Sequence, residues 1–334
     1  MLNRQVILSQ PDIVAPYDFG FQLRHYVISP EVREAQKLVE IVRLPAGQLV
    51  KVDVESDGSV DVPRIKLTLS APRRLCPAEV DEVRTRLIWR LSLDEDLRPF
   101  YEIAVRDPVL SASIAHNFGA KAKRPYSLFD AVIDVILFQN VTFRRAYSTR
   151  ASLNARFGDT LVAGGRVYHA SPTPQQLATA PLDALRAAKV GYRARYIRAV
   201  AAAVAGGVDL EALKQRPGEV ARQELMRLPG VGPYTADLAL IRASRRPHAL
   251  FLDVYIREVL RQLYFGGEHV PDERLRAFAQ SRWGRYQGLA ALYLTTDTDT
   301  WASSLGFDLG LRSAALSDPD TRQAFASDPR PDPE

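Results

Sequence analysis

The chain has 334 residues, enough for two or three domains, and its 46% hydrophobic and 25% charged content is that of a globular protein with ample apolar material for a core. No run of about 18 apolar residues is present, so no helical membrane span is expected, and MLNRQVILSQPD lacks a secretory apolar segment, so a cytoplasmic location is expected. The single cysteine, Cys76, excludes an internal disulfide or a multi-cysteine metal cluster, and the net charge of +5 alone decides little.

Residues 1 to about 105 read as a mixed α+β domain with a small antiparallel sheet. Val6 to Leu8 and QLVKVDV look like strands. KVDVESDGSVDVP and RIKLTLSA alternate apolar and polar, and Asp57-Gly58, inside the first, is a hairpin signal between strand-like runs. PAEVDEVRTRLIWRLSL then changes to a helical period. From about 106 to 316 the strand pattern nearly disappears and helical segments follow one another, punctuated by Pro and Gly. Thr173 and Pro174 mark one helix start, as N-cap and first helical residue. The fold class is therefore mainly α with an α+β N-terminal domain, and the Pro/Asp-rich tail 317–334 is expected to be disordered. Charge is uneven along this order. Lys121 to Arg261 carries 22 Lys+Arg against 11 Asp+Glu, which suits a polyanion-binding face and equally suits a solvated helix surface.

LPGVGPYTADLAL, Leu228 to Leu240, holds the most informative local pattern. Gly230 and Gly232 permit a tight turn, and Pro233 suits the first position of a helix. Helix, short hairpin, helix is the expected result. Backbone N–H groups at the start of the second helix would suit a phosphate. An ordinary turn between packed helices explains the glycines as well. Asp253, in FLDVYIREVL, would open a further helix, where an acid is also a good N-cap. Val254, Ile256, Val259 and Leu260 are expected to face the core.

Leu228, Pro229, Gly230, Val231, Gly232, Thr235, Ala236, Asp237 and Asp253 together resemble the helix-hairpin-helix (HhH-GPD) superfamily of base-excision DNA glycosylases. PYDFGFQL, Pro16 to Leu23, is similar to the start of bacterial AlkA-type alkylpurine glycosylases, the 3-methyladenine DNA glycosylase II group. FDAVIDVILFQNVTFRRA looks like the helices flanking the family's intercalating loop. VGYRARYI and RWGRYQGLAALYL are similar to segments of the 8-oxoguanine glycosylases and to the family's C-terminal helix. The resemblance implies a two-lobed helical core with a DNA cleft, and double-stranded DNA with a damaged base as partner. It implies a backbone clamp at Gly230, Gly232 and Tyr234, with Thr235 and Arg145 nearby. A structural Na+ or K+ would sit on the carbonyls of Met226, Leu228 and Val231, and no other cofactor is required. Asn140 and Tyr192 would be wedges and Arg193 would meet the partner base. Arg144, Arg195 and Arg198 would neighbour phosphates. Asp253 would be the catalytic carboxylate, stabilising the departing sugar.

The chain departs from parts of the family. Bifunctional members carry a nucleophilic lysine two residues after the second hairpin glycine, and here that residue is Tyr234. A monofunctional enzyme is expected. One cysteine cannot hold an iron–sulfur cluster. Ala291 and Thr295 replace the glutamine and phenylalanine that hold the base in the 8-oxoguanine branch. Tyr234 and Tyr255 would line an aromatic base pocket instead; Tyr17, Phe19, Phe21 and His25 could line it from the N-terminal side, although core packing is the expected role for most of them. The expectation is a monomeric, bacterial, nucleoid-associated glycosylase acting on an alkylated purine such as 3-methyladenine. A glycosylase for an oxidised or deaminated base, or a non-catalytic lesion-binding protein, stays open as an alternative.

Overall fold

The computed structural model describes residues 1–25, 32–34, 36–139, 141, 143–246, 248–307 and 309. Asn140 and the tail 317–334, both assigned expectations from the sequence, lie outside the described residues. The N-terminal strands are β1 Leu2–Leu8, β2 Val32–Glu34, β3 Lys37–Arg43, β4 Leu49–Ser56 and β5 Ile65–Ala71. They form one antiparallel sheet in the order β1-β5-β4-β3-β2. Two short strands follow later, β6 Thr160–Ala163 and β7 Arg166–His169, paired as a hairpin.

The helices in chain order are α1 Phe19–Arg24, α2 Pro77–Arg90, α3 Arg98–Ala104, α4 Pro108–His116, α5 Leu128–Phe138, α6 Phe143–Phe157, α7 Pro174–Ala178 and α8 Leu182–Leu185. They continue with α9 Ala194–Ala205, α10 Gly218–Met226, α11 Pro233–Ala243, α12 Val254–Phe265, α13 Asp272–Trp283, α14 Gln287–Leu294 and α15 Thr298–Ser303.

Two compact units divide these elements, and they cut the chain differently from a break near residue 105. One unit contains the described residues of Met1–Glu95 and Gly119–Ala243; the other contains Asp96–Phe118 and the described residues that follow Ala243. Long-range packing explains the first grouping. Val50, Val52, Val54, Ile65, Leu67 and Leu69 share a buried cluster with Val80, Val83 and Leu87 of α2. On a second cluster, Val39, Ile41 and Leu49 meet Leu161, Ala163, Tyr168 and Ala170 of the late hairpin. The buried Glu40 carboxylate accepts from Arg90 Nε at 3.1 Å and from the Tyr126 hydroxyl at 3.1 Å, tying sheet, α2 and the segment before α5 together.

The middle of the first unit is α5. Ser127 caps it, accepting from Asp130 N–H at 2.9 Å, and every residue from Leu128 to Phe138 except Asp130 is buried. A helix apolar all round belongs in the interior. It packs with Leu177, Ile197, Val200, Leu225 and Leu240. α5 therefore presents its C-terminal end, and the residues that follow, from a fixed base.

Three local readings are corrected. Ser59–Val62 is loop, not strand: Ser59 Oγ accepts from Val62 N–H at 3.0 Å, Pro63 has no N–H for a ladder, and Val62 is exposed. The hairpin β6–β7 interrupts a region read as helical. Its turn is Gly164-Gly165, both at positive φ (58° and 75°), the backbone that a two-residue hairpin requires. Val254 is 72% exposed rather than in the core, whereas Val259 and Leu260 are buried as expected.

In the second unit the chain is organised around one carboxylate. Asp107 caps α4, accepting from the N–H groups of Val109 and Leu110 at 3.2 Å. Its Oδ2 also accepts from Arg282 Nε at 2.5 Å, Trp283 Nε1 at 3.0 Å and the Tyr264 hydroxyl at 3.1 Å. Burial pushes the Asp107 carboxyl up, but Arg282, Trp283 and the Leu110 amide outweigh it and hold the group below the usual carboxylate range. Its contribution is present above the unfolded value and is lost as pH falls through the folded one. Asp107→Asn should therefore cost about 3–5 kcal/mol near neutral pH by chemical denaturation. The gap from the parent should close as pH falls below about 3.9. A gap unchanged by acid would show that the carboxylate charge is not its source.

Candidate nucleic-acid interface and active site

The hairpin forms as its glycines require. After α10, Val231 N–H bonds to Leu228 O at 3.1 Å, and Pro233 opens α11. Gly230 has φ +78°, and a Cβ there would strike the ring of Tyr196 on α9. Packing and backbone both demand glycine at this position. Gly232 is different: a Cβ would meet no protein atom within 4 Å, and its φ is not positive. The fold itself does not demand this glycine, which keeps the backbone approachable from outside. The first ladder bond of α11 runs from Ala236 N–H to Gly232 O at 3.0 Å, so the amides of Gly232 and Tyr234 lie at the outward-pointing start of the helix. Tyr234 is 40% exposed. Thr235 instead turns inward: it is buried, and its Oγ1 accepts from Gln139 Nε2 at 2.9 Å. Its hydroxyl thus braces the hairpin rather than facing a DNA backbone. Arg145 is exposed on α6.

The segment expected to carry the wedge is built by a bend. Lys189 adopts φ +65° and Gly191 φ +59°, and Gly191–Arg193 makes a 3-10 turn before α9. A left-handed lysine is costly backbone, so the surrounding packing must hold it. Tyr192 is 41% exposed, with its ring edge-on to Tyr196 at 6.2 Å. Arg193 does not point outward, as a residue meeting a partner base would. It is buried, donating from Nη1 to Val190 O at 3.3 Å and from Nη2 to Gln139 O, with its guanidinium 4.7 Å from the Tyr192 ring centroid. Gln139, unremarked in the sequence, therefore sits between the Tyr192–Arg193 turn and the hairpin. Nothing in its neighbours' types signals this, because both partners are distant in the chain.

Asp253 is both a cap and a half-buried acid. Its Oδ1 accepts from Ile256 N–H at 2.7 Å at the start of α12. Burial pushes its carboxyl above the usual range, against the Ile256 and Tyr255 amides and Arg257, which favour the charge. Arg257 is itself committed to Asp272, at 2.7 and 2.9 Å. Two residues on, the half-buried Tyr255 lies 3.3 Å from Thr298 Oγ1 through its hydroxyl, and burial raises its phenol. An acid that is poorly solvated yet held by helix amides can stabilise positive charge strongly.

The remaining pocket expectations divide. Tyr234 is exposed and Tyr255 is half-buried. Phe19 and Phe21 are buried; Phe19 packs in the sheet core beside Tyr17, and Phe21 lies 4.5 Å from the His25 ring. Packing accounts for both. Ala291 is buried and the Thr295 hydroxyl bonds back to Ala291 O at 2.7 Å, so neither reproduces the base-holding side chains of the 8-oxoguanine branch. Among the described residues no group of three or more His, Cys, Asp or Glu is arranged to hold a metal ion.

Known proteins resemble the chain in sequence and in fold. Residues 133–285 match the family model of the HhH-GPD superfamily base excision DNA repair protein. A DNA-3-methyladenine glycosylase of Bacillus subtilis is 29% identical over 208 residues, 60% of this chain and 67% of that protein. A probable N-glycosylase/DNA lyase of Methanothermobacter thermautotrophicus is 25% identical over 284 residues, 79% of this chain and 88% of that one. The solved 3-methyladenine DNA-glycosylase from Archaeoglobus fulgidus shares the fold with a TM-score of 0.73 at 23% identity, covering 91% of this chain and 99% of that one. The 8-oxoguanine glycosylase/lyase of Clostridium acetobutylicum shares it with a TM-score of 0.61 at 19% identity, covering 79% and 97%. With its hairpin, its capped aspartate and its match over 133–285, the chain carries an HhH-GPD domain and is a DNA glycosylase of base excision repair.

Proposed function

We propose that this glycosylase is monofunctional and hydrolyses the N-glycosidic bond of an alkylated purine such as 3-methyladenine, leaving the DNA strand intact. The observation that carries the reading is Tyr234. It occupies the hairpin position where a lyase would place its lysine, and no lysine follows Lys214 anywhere in the chain. Without that amine, water supplies the nucleophile. The C1′–N bond breaks, the base leaves with the bonding electrons, and water oxygen bonds C1′ and loses a proton. Asp253 stabilises the positive sugar and orients the water. An alkylated purine is electron-poor and frequently cationic, so it leaves without strong acid assistance and is held well by an aromatic face, for which Tyr234 or Tyr255 is the candidate.

Damaged duplex DNA is the partner, held at the hairpin by the amides of Gly230, Gly232 and Tyr234 with Arg145 adding positive charge. A monovalent cation on the carbonyls of Met226, Leu228 and Val231 belongs to the same proposal. These are neutral oxygen donors, and Leu228 O also accepts the turn bond from Val231. A monomer acting in the bacterial cytoplasm completes the reading; among the described residues no helix is long and apolar enough to cross a membrane.

Base release from duplexes carrying single lesions, each reaction split with and without alkali, tests the reading. Strand breaks should appear only after alkali and from an alkylated purine; breakage without alkali would contradict the monofunctional assignment. Asp253→Asn should lower release at least about 100-fold while DNA binding holds or tightens; retained release would remove Asp253 from the chemistry. The rate of the parent enzyme should fall as pH drops through the Asp253 value, at a pH above the ordinary aspartate value of about 3.9, because the ionised form is the active one. A rate flat down to that pH would contradict the role. Gly230→Ala should lose about 2 kcal/mol or more of stability. Gly232→Ala should melt like the parent and bind duplex DNA less tightly; unchanged binding would mean that no phosphate approaches Gly232.

A further inference from the structure

Gln139 makes contacts that the glycosylase reading leaves unused. It follows α5, whose burial fixes its position. Its side-chain amide donates to Gly230 O at 3.2 Å and to Thr235 Oγ1 at 2.9 Å, one contact on each side of the hairpin's second glycine. Its main-chain carbonyl accepts from Arg193 Nη2. Arg193 holds Val190 O with its other arm and lies under the Tyr192 ring. Tyr192 in turn meets Tyr196, and Tyr196 packs where Gly230 has no Cβ. The contacts close on themselves: hairpin, Gln139, Arg193, Tyr192, Tyr196, hairpin. All of them lie within one compact unit.

From this closed circuit we infer that Gln139 and Arg193 are positioning residues that couple the seating of the hairpin on a phosphate to the placement of the Tyr192 wedge. The inference rests on the proposed clamp and wedge roles. A displacement of Gly230 or Thr235 on phosphate binding pulls on the Gln139 amide. Gln139 cannot follow freely, because α5 is packed on all sides, so the strain passes through its carbonyl to Arg193. Arg193 is the floor beneath Tyr192. The bend at Lys189 and Gly191, both at positive φ, is the place where this short segment would shift. Arg193 thus supports the wedge from behind instead of reading a base.

The test uses the full chain and the variant Gln139→Met, which keeps the side chain's length and removes its donors. Fluorescence of 2-aminopurine placed beside a tetrahydrofuran abasic-site analogue reports unstacking without requiring catalysis. Single-turnover base release is measured in parallel, on a lesion the parent enzyme processes. Gln139→Met should bind undamaged duplex within about threefold of the parent, while the fluorescence change and the single-turnover rate both fall tenfold or more. In a Tyr192→Ala background the same substitution should add less than twofold, because its effect runs through Tyr192. Gln139→Glu, which keeps the size and replaces the amide by an acceptor facing Gly230 O, should resemble Gln139→Met. Full independence of the two substitutions, an equal loss on undamaged duplex, or no loss of unstacking would each overturn the coupling. Absence of unstacking by the parent enzyme would instead count against the glycosylase reading beneath it. If Gln139→Met melts well below the parent, Arg193→Met, which cuts the circuit at its other arm, must reproduce the selective loss of unstacking; failure to do so overturns the proposal.

Discussion

The ring of Tyr196 fills the space that a Cβ on residue 230 would need, and much of the first unit's functional geometry depends on that contact. It sets how closely the hairpin approaches α9, and α9 begins where the wedge segment ends. Glycine at 230 is thus a packing requirement as well as a turn requirement. Glycine at 232, with open space around it, answers to what approaches from solvent. Two glycines one residue apart have different causes, and only the structure separates them.

The second unit follows the same economy of means with different chemistry. Asp107 and Asp253 are both helix N-caps, yet their environments move them in opposite directions. Asp107 receives a guanidinium, an indole and a phenol besides its helix amides, so its ionised form is secured and its work is structural. Asp253 receives helix amides while Arg257, whose guanidinium favours its charge, is spent on Asp272, so burial dominates. A carboxylate in that state gains most when a cation forms beside it. The same residue type in the same helical position is a secured charge in one case and a desolvated one in the other.

Local features were legible in the sequence. The Gly-Val-Gly-Pro turn, Pro233 as first helical residue, Asp253 as N-cap and the Thr173-Pro174 helix start are all decided within four residues, and all are observed. Features decided by distant partners were not. Gln139 has its role because Gly230, Thr235 and Arg193 come to it from 54 to 96 positions away. Arg193 looked outward-facing by analogy, and the buried carbonyls of Val190 and Gln139 claim it. Phe19 and Phe21 read as core residues more than as pocket lining, and both are buried. The Gly164-Gly165 hairpin was locally readable and was masked by the helical pattern on either side. The grouping of Met1–Glu95 with Gly119–Ala243 rests on contacts such as Glu40 with Tyr126, which no local period encodes.

The central claim is that water, not a protein amine, attacks C1′ once Asp253 has stabilised the sugar. Borohydride reduction during turnover on a processed lesion addresses it directly, since a Schiff base between enzyme and sugar would be fixed as a covalent adduct. The account predicts free abasic DNA and no protein–DNA adduct at any time point. A covalent adduct at the level of the base released would contradict it and place a lysine or the N-terminal amine in the chemistry.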